Sequence, residues 1–579
     1  MPQHLTPPIK ELLALSRRAP EEESALSQWV GQRDLLEFLE SNARDPETVL
    51  YASMGHLYLH SVLVPAALLS PPDMEDLRRW DTNPTNSWSV WEHSSPHEYT
   101  FEPPLAHSDS KTISRGEQLF FSRDFEGLPR ERKHYYELSQ KFAHISQLHF
   151  VSERNAYCRI DRLGDIVEIV RVLRLPAKPD EFPTNMITVD RATLDQYMAL
   201  TETSLVRLFD FVRAQSPDFY DWPGKRDEEH IDRGDIHYKL GVYAAKASYA
   251  RGFQIIRPVI TKETAYARLN SDGEDQPKQY ASFIAYDWKN KIVKEISCDP
   301  KALSNYFTKS ELPFETTPAF FRAEVLTKYK NDPEKYRVEE RSIYCRGAWS
   351  LRSYDVNQAG QVHAYLCDLR DLPYEEQTYW KAFNEGPKAG ISKRSFTNDF
   401  EGDWYLEYNP LDSLKQKIRQ LHSAATPWWT LRTEELLDQV HYPVTTASEE
   451  FANEIMALDK LLNEGFNEKH LRSKAQELGQ APKLTDRSLL LVAACLHGYG
   501  FDEAHALEVV APLREVARLR SKLKGHASGG EAAAIRSQML AAHGSFRAAF
   551  EDLCANCDEA VKVISEAFQE NGATRTEDK

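Results

Sequence analysis

From residue 411 to residue 568 the sequence repeats apolar side chains at intervals of three and four, segment after segment. That spacing lines one face of a 3.6-residue helix, and helices with one apolar face become stable by packing on each other. The pattern runs through 411–421, 449–462, 487–496, 503–524, 532–542 and 547–568. Gly525, Gly529, Gly530 and Gly544 interrupt the last of these, where a residue without a Cβ lets the chain turn. This part of the chain is predicted to be an all-α bundle with short connections.

The preceding residues read differently. At 579 residues the chain is too long for one core. Residues 1–110 open with helical spacing at 10–16 and 25–42. They close in an aromatic, proline-rich stretch holding Trp80, Trp88, Trp91, Tyr99 and Phe101, read as loops and short extended pieces. Such rings can stack a base, but the simpler expectation is that they pack this stretch onto its neighbour. Residues 111–400 mix element types. Helices are expected at 135–148 and 194–213, and strands at 155–160 and 166–175 about the turn at Gly164. A hairpin is expected over 280–288 and 292–298, then a meander over 337–346, 350–356 and 361–369, and a helix opened by Pro373. The predicted fold is therefore α+β: a large N-terminal mixed region with antiparallel sheet, followed by an all-α C-terminal helical bundle. The divisions fall at 1–110, 111–400 and 411–570.

Hydrophobic content of 41% and charged content of 27% are ordinary for a folded chain. The net charge is -17, so any nucleic-acid contact must come from a local patch. The cysteines are seven and scattered, which fits reduced thiols better than a disulfide framework. Cys554 and Cys557 form one C-x2-C, but no second pair follows, and both fall in a helical pattern. The opening residues lack the apolar segment of a secretory signal, and no apolar run is long enough for a membrane span. The expectation is a cytoplasmic protein with no membrane association and no cofactor.

One helix of the bundle departs from the acidic average. In LREVARLRSKLKGH, residues 513–526, Leu513, Val516, Leu519 and Leu523 form the apolar stripe. Arg514, Arg518, Arg520, Lys522 and Lys524 fall largely off it and, with Glu515, give a local charge of +4. That contrast marks a candidate phosphate-binding patch. Six positions beyond Arg520 stands His526, after the helix-ending Gly525. An imidazole can move the proton of a 2'-hydroxyl and a guanidinium can hold a phosphate. Positions six apart lie about 120° apart on an ideal helix. A break at Gly525, or a second copy of the helix across a dimer, would bring the two together.

This arrangement resembles the HEPN superfamily of helical RNases. Their signature is an arginine, four to six residues, then a histidine, near the end of one helix of a small bundle. Arg520-SKLKG-His526 has that form, and the residues after it resemble the closing helices of such a domain. The resemblance covers roughly the last 130 to 170 residues. It implies a dimer in which both arginines and both histidines line one cleft, the histidine acting on the 2'-hydroxyl and the arginine on the cleaved phosphate. Many members carry Asn, Asp or His directly after the arginine, and here that position is Ser521. Arg536-SQMLAA-His543 is a second candidate pair with the same type of spacing.

The other constellations are weaker. His56 and His60 have the H-x3-H spacing of two metal ligands on one helix face, but no glutamate stands beside them and the segment is apolar, so core histidines are expected. His93, His97 and His107 could add ligands, with nothing to fix their geometry. Glu324 to Lys328 lacks the strand pattern of a metal nuclease, and no glycine-rich phosphate loop is present. Arg346, Trp349, Arg352 and Asp355 surround an expected hairpin, where cross-strand pairing is the simpler role than a pocket.

The sequence thus predicts a metal-independent endoribonuclease effector with an RNA substrate, forming a homodimer or higher homo-oligomer. Related domains belong to bacterial toxin and abortive-infection (anti-phage defence) systems, which implies that the larger N-terminal region regulates the bundle in response to an activating ligand or protein. The alternative is a non-catalytic dimerising protein that binds a ligand or a protein partner. A third possibility is an enzyme whose site lies in the α+β region.

Overall fold

The computed structural model describes residues 5–15, 19–79, 89–94, 97–102, 105, 108–128, 131–176, 183–215, 222, 224–270, 278–405, 408–444, 447–524 and 529–573. The chain divides into two compact units, one of residues 1–161 and 166–277, the other of residues 162–165 and 278–579. The α+β character of the long N-terminal region and the helical bundle after it are both as the sequence predicts.

The first unit is built on an antiparallel sheet. In spatial order its described strands are Arg226–Arg233, Ile236–Tyr243, Ala247–Ile256, Thr203–Ala214, Leu57–Pro65, Glu47–Ser53, Thr184–Asp190, Ile166–Leu175, Ala156–Ile160 and His149–Val151, with Glu117–Gln118 also paired to Leu57–Pro65. The central strands are buried on both faces. From Thr203–Ala214, Phe209 and Phe211 pack with Ile9, Leu12, Leu35 and Leu39 of helices Pro7–Ala14 and Asp34–Asn42. The even positions Val206 and Leu208 pack with Val62, Val64, Leu77 and Ile113 on the opposite face. Arg207 lies fully buried in the same strand. Its guanidinium donates to Asn42 Oδ1 at 2.7 Å and Gln254 Oε1 at 2.6 Å, and to the carbonyls of Leu39 and Val49.

Burial on both faces explains the largest departure from the sequence reading. Residues 194–213 are not one helix. Helix Arg191–Thr201 ends at Glu202, whose φ of 55° is left-handed, and strand Thr203–Ala214 follows. A strand covered on both faces has no polar alternation to show, so its apolar run reads equally well as helix. Likewise 135–148 is the end of strand Glu131–Leu138 followed by the short helix Gln140–Ile145. The expected strand at 361–369 ends at Tyr365 and becomes helix Leu366–Leu369. The strands near Gly164, the hairpin Ser282–Asp287 with Ile292–Ser297, and the helix after Pro373 are present.

The second unit begins with a smaller antiparallel sheet in the order Ile292–Ser297, Ser282–Asp287, Pro318–Phe321, Val362–Tyr365 and Asp355–Val356, with Asn384–Glu385 also paired to Pro318–Phe321. One face of this sheet packs Phe283, Ala285, Ala319, Phe321, Val362 and Ala364 against Tyr329, Trp349 and Trp380. The other face carries Tyr286, Pro318 and Phe320. The expected meander over 337–346, 350–356 and 361–369 is divided differently: Tyr336–Val338, Ile343–Cys345 and Trp349–Leu351 form a three-stranded sheet of their own, while Asp355–Val356 and Val362–Tyr365 join the sheet of Pro318–Phe321.

The bundle follows. Its principal helices are Pro410–Ser423, Ser448–Leu462, Glu468–Glu477, Ser488–Gly498, Ala511–Lys524, Gly529–His543 and Phe546–Ala573. The expected helix over 503–524 is two, Glu503–Val509 and Ala511–Lys524, and Gly529 and Gly530 begin a helix rather than break one. Leu414, Ile418, Leu458, Leu496, Leu513, Val516, Phe550 and Ile564 share one core. Helix Phe546–Ala573 lies against Pro410–Ser423, where Asp558 accepts from Lys417 Nζ at 2.6 Å, Ser413 Oγ at 2.9 Å and Tyr408 Oη at 2.7 Å. No described helix is long and apolar enough to cross a membrane.

Candidate RNA-binding site in the helical bundle

Helix Ala511–Lys524 divides its residues as its spacing dictates. Leu513, Val516, Leu519 and Leu523 are buried, and they fix the helix against Ser448–Leu462 and Phe546–Ala573. The cations therefore emerge on the opposite side. Arg514 is exposed and forms no ion pair among the described residues. Arg518 is held by Glu515 one turn back, through Nε and Nη2, each at 2.7 Å. Lys522 Nζ stands 2.6 Å from Glu531 and Lys524 Nζ 3.6 Å from Glu449.

Arg520 differs from these. Its side chain is 49% exposed, and its Nε lies 3.7 Å from Oδ2 of Asp459, which is only 6% exposed. Asp459 is itself fixed by Asn463, whose Nδ2 donates to Oδ1 at 2.7 Å and also to the carbonyl of Leu513. A carboxylate anchored on the neighbouring helix thus stands beside a guanidinium that solvent still reaches, in an ion pair longer than a hydrogen bond. The exposed pairs of Arg518, Lys522 and Lys524 are weak and open to exchange with a phosphate. His526 and Gly525 lie outside the described residues.

The second pair, Arg536 and His543, sits on helix Gly529–His543. Seven positions bring both side chains to nearly one face, but about 10 Å apart along the axis. Both are half-buried. The Nε of Arg536 is buried with no hydrogen-bond partner among the described residues.

The remaining candidates resolve individually. His60 lies in strand Leu57–Pro65, not on a helix, and His56 in the turn before it. His60 is fully buried, and burial pushes its pKa down to about 4, so it is a neutral core histidine. His93 and His97 fall in the hairpin Ser89–Ser94 with His97–Glu102, and His107 lies outside the described residues. Trp91, Tyr99 and Phe101 are more than half exposed, so they do not pack inward as expected; Trp80 and Trp88 lie outside the described residues. Cys554 and Cys557 are buried in helix Phe546–Ala573. Arg346, Trp349, Arg352 and Asp355 have separate surroundings. Trp349 is in the core, Arg352 is exposed, and Arg346 donates to the carbonyls of Glu334 and Gly164. Among the described residues no group of three or more His, Cys, Asp and Glu is placed to hold a metal ion.

Two polar clusters escaped the sequence reading. In the first, Asp355 is bound by both ends of the Arg394 guanidinium, at 2.9 and 2.7 Å, and Arg394 also meets Glu340 at 2.7 Å. In the second, Lys330 bridges Glu450 at 3.0 Å and Glu454 at 3.5 Å. Neither has local spacing that could have revealed it, because the partners lie tens of residues apart. Set against known proteins, the chain matches no family model, no curated protein and no solved structure.

Proposed function

We propose that this chain is a metal-independent endoribonuclease effector, its helical bundle HEPN-like in action and restrained by the α+β regions that precede it. The observation that carries this reading is the Arg520 guanidinium, half-exposed and 3.7 Å from buried Asp459, on the helix that also carries Arg514, Arg518, Lys522 and Lys524. In this reading the four flanking cations hold the RNA backbone. His526 takes the 2'-hydroxyl proton as that oxygen attacks the adjacent phosphorus, and Arg520 balances the charge that gathers on the phosphate. The 5'-oxygen leaves and takes up a proton, so the product is a cyclic phosphate. A second copy of the chain would supply the opposing arginine and histidine. An anti-phage or toxin-type role in the cytoplasm fits this chemistry. The test incubates the protein with single-stranded RNA in EDTA beside His526→Ala and Arg520→Ala. Cleavage lost in both variants is expected, and equal cleavage by all three overturns the proposal.

A second reading has its own support. Four of the five cations on the basic helix already face a carboxylate. A bundle that only dimerises, in a protein that binds a ligand or partner, needs no more than that. Intact RNA together with ligand-dependent thermal stabilisation would favour it.

A further inference from the structure

The second unit holds a pocket that the RNase reading does not use. It opens over the face of the small sheet that does not pack on the core, and its volume is about 580 Å³. Tyr286, Trp288 and Phe320 lie on the sheet side, and Phe396 and Phe400 face them from the segment that crosses above. Pocket volumes of this order take a whole drug-sized molecule.

The walls are fixed before any ligand arrives. Phe396 ends the helix Lys393–Phe396, and Phe400 sits in the π-helical turn Thr397–Glu401 that continues it. Turns of that kind are uncommon and recur at functional sites. Buried Asp355 holds Arg394, and Asp399 binds both Arg341 and the Tyr365 hydroxyl, so this segment is pinned at both ends. The rim at 387–391 is pinned as well: Gln361 Oε1 accepts from Lys388 N at 2.7 Å and Asn357 Nδ2 donates to Gly390 O at 3.0 Å. Yet Phe396 and Phe400, stacked 6.1 Å apart, remain 50% and 39% exposed. Rigid walls presenting aromatic rings to an open space are suited to a bound ring rather than to water.

The lining also limits the charge of the occupant. Its one ionisable cation, Lys388, is paired with Glu385 at 2.7 Å. The polar groups left for a ligand are neutral: the buried Trp288 indole N–H, the Tyr286 hydroxyl and the main-chain N–H of Ala389 and Ile391 have no hydrogen-bond partner among the described residues. We infer that this pocket binds an uncharged planar heteroaromatic molecule of about nucleoside size, its ring against Phe320, Phe396 and Phe400 and its polar edge toward Tyr286 and the 387–391 rim.

The full chain is titrated with adenosine, guanosine and riboflavin by calorimetry, beside Gly390→Trp and Phe400→Ala. A Cβ at Gly390 meets nothing within 4 Å, so the position has room for a side chain to begin. Saturable one-to-one binding of at least one probe is expected. It should be abolished by Gly390→Trp and weakened about tenfold by Phe400→Ala. Ala389→Trp serves as the second blocking variant should Gly390→Trp fail to fold. No binding by any probe overturns the inference, as does binding that survives a folded blocking variant. Binding of a tryptophan-tipped peptide alone would also overturn it. RNA cleavage is read separately, so either proposal can fail without the other.

Discussion

Replacing Arg394 with Met tests the anchor beneath the pocket wall. Asp355 is 4% exposed, and two charge-assisted bonds from Arg394 neutralise it. Removing one partner of a buried pair leaves the other charge uncompensated, which costs about 3 to 5 kcal/mol. Here Asp355 keeps Ser392 Oγ at 2.7 Å, the Val356 N–H at 2.8 Å and the Arg341 guanidinium 3.9 Å away, so the lower end, about 3 kcal/mol, is expected. Asp355→Asn combined with Arg394→Met should recover at least about 1.5 kcal/mol relative to the sum of the single changes. The assay is hydrogen exchange across residues 392–401, which reads the free energy of opening that segment alone. The pH dependence follows. Burial alone would raise the Asp355 pKa, but the Arg394 hydrogen bonds and charge, with Ser392, outweigh it and hold the carboxyl below its ordinary 3.8. Its contribution is therefore present above about pH 4 and lost as pH falls through the lowered folded value. A loss under about 1 kcal/mol in Arg394→Met, or additivity within about 0.5 kcal/mol, would refute the claim that this pair holds the wall.

Other outcomes are expected. Burial, only partly offset by Lys330 and the His441 N–H, raises the Glu454 pKa from 4.5 to about 7. The folded state then keeps a proton that the unfolded chain has lost, so stability is full below pH 4.5 and falls by roughly 3 kcal/mol as pH rises through 7. Glu454→Gln should flatten that part of the pH–stability curve, and an unchanged slope would show that Glu454 is ionised in the fold. Tyr329→Phe should cost about 1 to 3 kcal/mol in urea unfolding, because it strips the Trp380 indole N–H of its 2.8 Å acceptor and Glu376 of a 2.8 Å donor. Burial pushes the thiols of Cys554 and Cys557 upward, so neither should react with a thiol reagent until the bundle unfolds. Labelling of either within minutes under native conditions would contradict their placement in the core.

The bundle was legible because its helices are covered on one face only, so Leu513, Val516, Leu519 and Leu523 advertise the stripe directly. Helix Glu468–Glu477 was not, since only Leu471 and Ala475 are buried along it. In the first unit the same principle worked in reverse: Val206 and Leu208 turn to one face, Phe209 and Phe211 to the other clusters, and the strand between them shows no alternation. The candidate site was legible as a list of cations on one helix. That Arg520 has its facing carboxylate at Asp459, 61 positions earlier, depends on how two helices pack, which local spacing does not encode. The pocket was hidden for a related reason. Pro318–Phe321 is apolar at every position because one side meets the core and the other the cavity, and a run so short distinguishes neither.

Asp558 ties the helix Phe546–Ala573 to Lys417, which precedes it by 141 residues. On a ribosome adding about 5 to 20 residues per second, Leu414, Ile418 and Leu421 emerge on the order of ten seconds before the surface that covers them. Through that interval the nascent bundle carries an incompletely covered greasy flank. A message truncated ahead of Asp558 would yield a polypeptide whose sheets are finished and whose helices are not, marking it for proteolysis.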